Sequence, residues 1–478
     1  MKKLNRESAG LPLNRPVKVL QFGEGNFLRA FADWIVDVMN EKSGFNGAVQ
    51  IIQPIENGMG AALNQQDGLY HLVLNGIRKG QPTQETRLIS CVKGVINPFA
   101  NYQSFLAQAE SPELQFIISN TTEAGIVFND SDNNPNVLPH TFPGKVTTFL
   151  YRRYQHFKAS PDKELMVMPC ELIDKNGEKL RAAILEYATL WKFPADFKNW
   201  IEHHNVFCNT LVDRIVPGFP KESIGEIQAR IGYEDNLVVT AEPFHLWVIE
   251  GPDSLQEKFP AAKSGLDVKF VKDLTPYRTR KVRILNGAHT SLVPVAYLSG
   301  LRTVRDSVND ATVGQYLRDV VYEEIIPTLD LPAGELKQFA NDVMERFQNP
   351  FIKHELISIA LNSVSKFKVR VLPSIVQFVA LKKTPPEKLL FSLAALIRFY
   401  KGRTGSETIP LNDAPEILEF FREAWKNLPI EKIAGKVLAN TTLWDEDLTR
   451  IAGLESVVTL HLAAIESKGM VADLQELR

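Results

Sequence analysis

The sequence predicts an α/β fold: a Rossmann-type domain with a doubly wound, mostly parallel sheet, followed by a mainly α-helical C-terminal domain. Short apolar runs typical of buried strands alternate with helical patterns as far as about Leu274. This alternation is the rhythm of parallel strands joined by crossover helices. The first apolar run ends in a Gly-x-Gly turn, and beyond Leu274 long helical patterns replace the strand signals.

The opening motif runs from the apolar segment Val17–Phe22 through Gly23-Glu24-Gly25 into an amphipathic segment that contains Phe31 and Trp34. Strand, glycine turn and helix open a dinucleotide-binding unit, in which the glycines let the backbone approach a pyrophosphate at a helix N-terminus. A third glycine, expected at Leu28, is absent, and many Gly-x-Gly pairs are plain turns. The cofactor contacts predicted here are Phe22, Gly23, Gly25, Asn26 and Phe27.

A second apolar run, Val49–Ile52, ends in Gln53-Pro54-Ile55-Glu56. Such folds place the residue that contacts the adenosine ribose at this tip, and Glu56 or Gln53 would suit a free 2′-hydroxyl. No arginine is present there to hold a 2′-phosphate. The sequence therefore favours NAD over NADP, with Glu56 as the candidate ribose contact.

Further buried strands are predicted at Leu88–Val92, Gln115–Ser119, Leu165–Met168, Val206–Leu211 and Val238–Thr240. Gln115–Ser119 leads directly into the polar residues Asn120 and Thr121. A polar turn after a buried parallel strand lies at the carboxyl edge of the sheet, where ligands bind. Asn120 and Thr121 are therefore candidate cofactor contacts, although turn formation and helix capping would explain them equally well.

The C-terminal part shows seven long helical patterns: Lys281–Ser299, Asp310–Glu324, Ala333–Gln348, His354–Ser365, Pro373–Leu381, Lys388–Tyr400 and Ala414–Leu428. We therefore expect residues 1–274 to form the NAD-binding domain and residues 275–478 to form a helical domain that carries substrate-binding and catalytic groups.

Lys281, Asn286 and His289 are the candidate catalytic residues of the helical part. A lysine can serve as general acid or base when its neighbours lower its pKa, and cations such as Arg280 and Arg283 act in that direction. Asn286 and His289 are three residues apart and would share a helix face, whereas Lys281 would lie about 12 Å from His289 along the axis of a regular helix. The alternative is that these polar residues form an ordinary solvated face.

Composition limits the classes of partner. The chain has 478 residues, 44% of them hydrophobic and 23% charged, with a formal charge of −2, so nothing favours nucleic acid or an anionic membrane. The apolar run Val457–Leu462 is too short to span a bilayer, and no secretory signal is visible. Cys91, Cys170 and Cys208 are far apart and form no metal-ligand pattern. We expect a reduced, cytoplasmic protein without a metal, monomeric or dimeric.

The two motifs together resemble those of the polyol-specific long-chain dehydrogenases, the mannitol dehydrogenase family. Gly23-x-Gly25-x-Phe27-x-Arg29-Ala30 is similar to the nucleotide signature of this family, which also lacks the third glycine, and Lys281-x4-Asn286-x2-His289 is similar to its catalytic signature. The resemblance covers nearly the whole chain. It implies that Lys281 is the general acid/base and that Asn286 and His289 bind the reacting oxygen. It also implies that Asp213, in Val212-Asp213-Arg214-Ile215, and Lys366, after Ser365, bind substrate.

Within the family, longer polar stretches resemble the members that reduce keto sugar acids. These stretches are Gln21–Phe31, Ser119–Gly125, Pro169–Ile173, Ile284–Thr290 and Asn349–His354. The resemblance implies interconversion of tagaturonate plus NADH with altronate plus NAD, in hexuronate catabolism. A fructuronate reductase and a mannitol-type polyol dehydrogenase are the alternatives, and a non-catalytic nucleotide sensor is a further one.

Two departures from the mannitol-type pattern bear on the substrate. Mannitol-type members have an arginine and a histidine shortly before the lysine that aligns with Lys366, and here those places fall near Ser358 and Leu361. Those members carry Cys-Asp-Asn where this chain has Cys170-Glu171-Leu172, and Leu172 cannot polarise a carbonyl as their asparagine does. Asn176, four residues later, is a candidate substitute. A sugar acid also needs a partner for its carboxylate, and the helical part offers a basic cluster: Lys353, His354, Lys366, Lys368 and Arg370. We take Lys366 and Arg370 as candidate substrate contacts; surface solubility is the alternative explanation for the cluster.

Overall fold

The structure is a computed structural model that describes residues 1–12, 14–78, 80–121 and 125–477. The chain forms two compact units. The first comprises Met1–Asn75 and Pro82–Leu274, and the second comprises Gly76–Gln81 and Thr275–Arg478. The assignment of cofactor binding to one part of the chain and of catalysis to the other stays a prediction.

The first unit is built on a six-stranded parallel sheet, which confirms the predicted fold class. We number its strands in chain order: β1 Val17–Phe22, β2 Ala48–Ile52, β3 Val92–Ile96, β4 Phe116–Ser119, β5 Met166–Pro169 and β6 Val206–Phe207. Their order across the sheet is β3-β2-β1-β4-β5-β6, and every neighbouring pair is parallel. The strand order reverses between β1 and β4, which is the switch point where open α/β sheets bind ligands.

The strands of this sheet are apolar on both faces because helices cover both. Val19 and Ile118 belong to one buried cluster, whereas the adjacent Leu20 and Ile117 belong to another. Successive side chains of a strand point to opposite faces, so continuous apolar runs are what a doubly covered parallel sheet requires. The helices of this unit are Arg6–Ala9, Asn26–Ala30, Ala32–Lys42, Gly60–Gln65, Tyr102–Ala107, Phe142–His156, Asn176–Leu190, Ala195–His203, Ile224–Ile231 and Leu255–Lys258.

Two predicted strands were wrong in their bounds. The segment predicted at Leu88–Val92 spans the end of one strand, Gln81–Ile89, and the start of β3. The segment predicted at Val206–Leu211 divides at Cys208: β6 stays in the parallel sheet, and Asn209–Asp213 pairs antiparallel with Leu246–Glu250. Pairing with distant strands decides such breaks, and local patterns do not report it.

Smaller sheets lie in the first unit, except that residues 76–78 and 81 of their strands belong to the second unit. Asn209–Asp213, Leu246–Glu250 and Val268–Val271 form one, Val239–Ala241, Tyr70–Arg78 and Gln81–Ile89 form another, and Lys2–Lys3 pairs with Tyr233–Glu234. Among the strands of these smaller sheets, Val239–Ala241 agrees with a predicted strand, Val238–Thr240, to within one residue at each end.

The second unit is organised around the helix Gly287–Leu298, whose residues from Gly287 to Tyr297 are all buried. It packs against Glu387–Phe399, which in turn packs against Leu454–Lys468. The other helices are Thr275–Arg280, Val304–Asn309, Val313–Asp319, Ala333–Phe347, Leu356–Ile359, Ser363–Arg370, Leu372–Lys382, Pro415–Asn427, Ile430–Leu438, Thr441–Trp444 and Met470–Glu476, with π-helical turns at Lys281–Asn286 and Val320–Ile325.

Two helical predictions in this unit need correction. His354–Ser365 is not one helix, because the chain forms Leu356–Ile359 and then begins a new helix at Ser363, after Asn362 adopts a left-handed conformation with φ +51°. Asp310–Glu324 is helical only from Val313, after a break at Asp310. In the described part of the chain, no helix has the length and apolar character needed to cross a membrane.

Candidate active site

The Gly-x-Gly turn lies at the switch point of the parallel sheet. Gly23 has φ +121°, and a Cβ added there would lie 3.2 Å from the carbonyl oxygen of Asn120, so the position requires glycine. Gly25 has extended backbone and precedes the helix Asn26–Ala30. The predicted helix after the turn is interrupted at Phe31 and resumes as Ala32–Lys42.

A buried glutamate fixes this turn to the loop after β2. The Glu24 side chain is 5% exposed, and its Oε1 accepts a hydrogen bond from the backbone N–H of Met59 at 3.1 Å. Burial raises the pKa of Glu24. Glu24 was not among the predicted cofactor contacts, and nothing in the sequence indicated its hydrogen bond to Met59.

The tip of β2 borders an open cleft of about 700 Å³. Glu56 lines the cleft with an exposed side chain, together with Asn97 and Asn101 after β3. Gln53, the alternative ribose contact, has other partners: its amide donates to the carbonyls of Ile55 and Glu56 and accepts from Gly60. The described lining contains no arginine or lysine, so the geometry suits an uncharged ribose edge at Glu56.

Asn120 and Thr121 follow β4 at the same edge of the sheet. The backbone N–H of Asn120 donates to the carbonyl of Phe22, which brings this loop beside the glycine turn. The backbone N–H and the hydroxyl of Thr121 both donate to Oε1 of Glu171, and Ser119 donates to Oε2. Residues 122–124 of the Ser119–Gly125 stretch lie outside the described residues.

Glu171 is therefore a residue that sequence reasoning missed. Its side chain is 2% exposed, and burial raises its pKa. It joins the loop after β4 to the loop after β5. The sequence departure at Cys170-Glu171-Leu172 was interpreted through Leu172, but the residue that accepts the hydrogen bonds of Ser119 and Thr121 is the neighbouring Glu171.

Asn176 has a structural role that argues against the predicted substrate contact. Its side chain is fully buried, its amide nitrogen donates to the carbonyls of Pro169, Glu171 and Thr210, and its amide oxygen accepts from the N–H groups of Gly177 and Thr210. These contacts use all of its hydrogen-bonding capacity. We therefore remove Asn176 from the substrate-binding candidates, and the equivalent of the family asparagine stays unassigned.

Asp213 ends the strand Asn209–Asp213 and is 7% exposed. The following residue, Arg214, is anchored in the same unit. Its guanidinium donates to the carbonyls of Ala30 and Glu242 and lies over the ring of Trp34 at 4.2 Å. The end of this strand is thereby attached to the segment that follows the glycine turn.

In the second unit, Lys281 begins a π-helical turn that ends at Asn286. In a regular α-helix, side chains five residues apart point about 140° away from each other. In a π-helical turn the hydrogen bonds run from residue i to i+5, so a side chain nearly repeats its direction after five residues. The turn thus brings Lys281 and Asn286 toward one side of the backbone, and the predicted regular helix was wrong.

His289 lies on the first turn of the central helix and is 8% exposed. Its ring stacks on Phe347 with centroids 4.1 Å apart, and the ring of His354 meets it edge-on at 5.1 Å. Burial lowers the pKa of His354, which favours its neutral form beside His289. These contacts fix the plane of the His289 imidazole.

The predicted basic cluster divides into paired and unpaired cations. Lys353 lies 2.9 Å from a carboxylate oxygen of Glu355, and Lys368 lies 3.0 Å from one of Asp445. Lys366 and Arg370 lie one turn apart on the helix Ser363–Arg370, and neither has an acidic partner within ion-pair distance among the described residues. Burial is the main cause that lowers the pKa of each.

The helix that carries Lys366 and Arg370 touches the start of the central helix. A Cβ added to Gly287 would lie 3.2 Å from the carbonyl oxygen of Arg370. The glycine next to Asn286 therefore permits this close approach.

Among residues 1–12, 14–78, 80–121 and 125–477, no group of three or more His, Cys, Asp or Glu residues is arranged to hold a metal ion.

Comparison with known proteins extends these observations over the whole chain. Residues 17–263 match the model of the mannitol dehydrogenase Rossmann domain, and residues 273–466 match that of the mannitol dehydrogenase C-terminal domain. The chain belongs to the mannitol dehydrogenase family.

Within the mannitol dehydrogenase family, the relatives include two named altronate oxidoreductase. The protein of Bacillus subtilis (strain 168) is 48% identical over 100% of this chain and 98% of its own length. That of Bacteroides thetaiotaomicron is 46% identical over 98% of each.

Two solved structures share the fold of this family member. A substrate-free D-sorbitol dehydrogenase has a TM-score of 0.81 with 23% identity, covering 99% of this chain and 100% of the other. The Pseudomonas fluorescens mannitol 2-dehydrogenase, solved as a ternary complex with NAD and D-mannitol, has a TM-score of 0.69 with 23% identity, covering 99% of each chain.

Proposed function

We propose that the protein is an NAD-dependent altronate oxidoreductase, which reduces D-tagaturonate with NADH to D-altronate and catalyses the reverse oxidation in hexuronate catabolism. The observation that carries the proposal is full-length similarity, at 43–48% identity, to relatives with this name. The free, buried thiols of Cys91, Cys170 and Cys208 support a place in the reducing cytoplasm.

The residues of the first unit fit NAD. Gly23 lets the backbone come close to a pyrophosphate, and the exposed carboxylate of Glu56 suits the adenosine ribose. The Asn120–Thr121 loop lies on the other side of the turn, fixed by Glu171. When bound, NADH supplies the hydride that adds to the ketone carbon.

The proton comes from the second unit. The ammonium group of Lys281 donates it to the developing alkoxide of the substrate and is left as a neutral amine; in altronate oxidation the neutral amine removes the hydroxyl proton. Asn286 and His289 donate hydrogen bonds to the same oxygen, and these strengthen as negative charge develops. The π-helical turn supports this assignment because it directs Lys281 and Asn286 to one side.

The substrate is the part of the proposal that most needs a test, because fructuronate reductase and mannitol-type dehydrogenase activities use the same chemistry. Purified protein would be assayed with NADH and tagaturonate, fructuronate or fructose, by following NADH absorbance. We expect kcat/KM for tagaturonate to exceed the other two by at least about tenfold. A higher value for fructuronate or fructose would reassign the substrate. No NADH oxidation with any of them would support the nucleotide sensor instead.

A further inference from the structure

Arg29 is a buried arginine whose guanidinium is directed at the glycine turn. Its side chain is 1% exposed. Nε donates to the carbonyl of Glu24 at 3.2 Å, Nη2 donates to Oδ1 of Asn26 at 2.7 Å, and Nη1 donates to the carbonyl of Leu237 at 2.6 Å. Two of the three bonds thus hold residues on either side of Gly25.

Within the described part of the chain, the buried charge of Arg29 is not used in an ion pair. Among the described residues, no carboxylate lies within ion-pair distance of its guanidinium, although Asp235 and Glu24 are near enough to favour its charged form. Burial lowers its pKa. A buried cation with only neutral acceptors is costly, but its hydrogen bonds are stronger and more directional than those of a neutral donor.

The other side of Asn26 is also fixed. A Cβ added to Gly218 would lie 2.6 Å from Nδ2 of Asn26, so the loop that contains Gly218 packs directly on this amide. Arg29 holds Oδ1, and the side chain therefore has one orientation. The helix Asn26–Ala30 has only five residues, so its own hydrogen bonds do little to order the turn.

We infer that Arg29 is a positioning residue for the cofactor pyrophosphate. It fixes the carbonyl of Glu24 and the amide of Asn26, and thereby directs the backbone N–H groups of Gly25 and Asn26 toward the anion. Arg29 itself does not touch the cofactor. The inference rests on the proposed binding of NAD to this turn.

The test compares Arg29→Lys with Arg153→Lys. Arg153 is the matched control, because it is also fully buried in the first unit and donates to backbone carbonyls, those of Ala109, Ser111, Leu114 and Lys163, but contacts no residue of the turn. Dissociation constants would be measured by calorimetry for ADP-ribose, which carries the pyrophosphate, and by NMR for adenosine, which does not.

We expect Arg29→Lys to raise the Kd of ADP-ribose at least about tenfold, a loss on the scale of one charge-assisted hydrogen bond, and to leave the Kd of adenosine within about twofold. Arg153→Lys should lower Tm without changing either constant. Equal losses of ADP-ribose and adenosine affinity, or no loss of either, would overturn the inference. Failure of the unaltered protein to bind ADP-ribose would instead count against the proposed function.

A double variant tests the route through Asn26. If Arg29 acts by orienting the Asn26 side chain, Arg29→Lys should raise the Kd of ADP-ribose by a clearly smaller factor in the Asn26→Ala variant than in the unaltered protein. The reason is that the effects of two coupled residues are not additive. Fully additive losses would contradict the route. Should Arg29→Lys fail to fold, Arg29→Gln, which buries no charge, serves for the same comparison with the same expected results.

Discussion

The phenolic oxygen of Tyr70 lies 2.8 Å from Oδ2 of Asp33 and 2.9 Å from the carbonyl oxygen of Arg29. A phenol has one proton, so it cannot donate to both acceptors. A protonated Asp33 resolves the conflict, because the acid donates to Tyr70 while Tyr70 donates to Arg29. Asp33 is fully buried, and burial raises its pKa from its ordinary value to about 7.

This arrangement predicts a pH-dependent stability. Because the pKa of Asp33 is higher in the folded than in the unfolded chain, its contribution is fully present at low pH and is lost as pH rises through about 7. We expect the free energy of unfolding in urea to fall by about 1 kcal/mol from pH 6 to pH 8 through this group.

Asp33→Asn is the matching variant, since its amide N–H can donate to Tyr70 as the protonated acid does. In this variant the free energy of unfolding should lose that fall of about 1 kcal/mol between pH 6 and pH 8. At pH 8 the variant should be more stable than the unaltered protein. The same slope in the variant and the unaltered protein would show that other groups, such as Glu324, whose pKa burial raises to about 7 in the second unit, account for it.

Lys281 gives the second prediction. If it carries the proton, Lys281→Ala should lower kcat by a factor of about 100 or more and leave the Kd of NADH nearly unchanged. Arg283→Ala is a useful comparison within the same π-helical turn, because that guanidinium donates to the hydroxyl of Ser374 and has no assigned role in proton transfer. Near-normal turnover in Lys281→Ala would make Lys281 part of a solvated face.

Cofactor choice gives the third prediction. The exposed carboxylate of Glu56 lines the cleft at the tip of β2, and the described lining has no cation. We therefore expect a strong preference for NADH over NADPH, because a 2′-phosphate would meet a negative charge. Glu56→Arg should weaken NADH binding and reduce the ratio of kcat/KM for NADH to kcat/KM for NADPH. Comparable kcat/KM for both cofactors in the unaltered protein would refute the assignment.

The sequence was sufficient for β1, β2, β4 and β5 because their apolar runs report burial on both faces of a sheet. The same patterns placed the helices Ala333–Phe347 and Glu387–Phe399 within about a residue of their observed bounds. These are local signals, since each depends on the side-chain period of one element.

The parts that were missed depend on partners distant in sequence. Cys208 divides an apolar run because the residues after it pair with Leu246–Glu250. The roles of Glu171 and Asn176 are set by loops after different strands, and both look like ordinary polar loop residues in the sequence. The residue types of Lys281–Asn286 do not indicate a π-helical turn, although the turn determines which of these side chains point to the same side of the helix.

The last prediction concerns the substrate carboxylate, which needs a cationic or hydrogen-bonding partner when it leaves water. Lys366 and Arg370 are suited to that role. Neither lies within ion-pair distance of an acid in the part of the chain that the structure describes, and the Arg370 backbone packs against Gly287 beside Asn286. The ε-amino group of Lys366 donates to the carbonyl of Ile359 at 2.8 Å, which sets its direction.

We expect Lys366→Met to raise KM for tagaturonate at least about tenfold and to leave NADH affinity nearly unchanged, because a charge-assisted contact to the carboxylate is lost. Arg370→Met should act in the same direction. Lys368→Met is the matched control, because Lys368 lies on the same helix but already pairs with Asp445. The KM of this variant for tagaturonate should stay within about twofold of that of the unaltered protein. The loss for Lys366→Met should be larger with tagaturonate than with fructose, which has no carboxylate. An equal loss with both substrates would mean that Lys366 binds a hydroxyl group or supports the fold, and that the carboxylate is bound elsewhere.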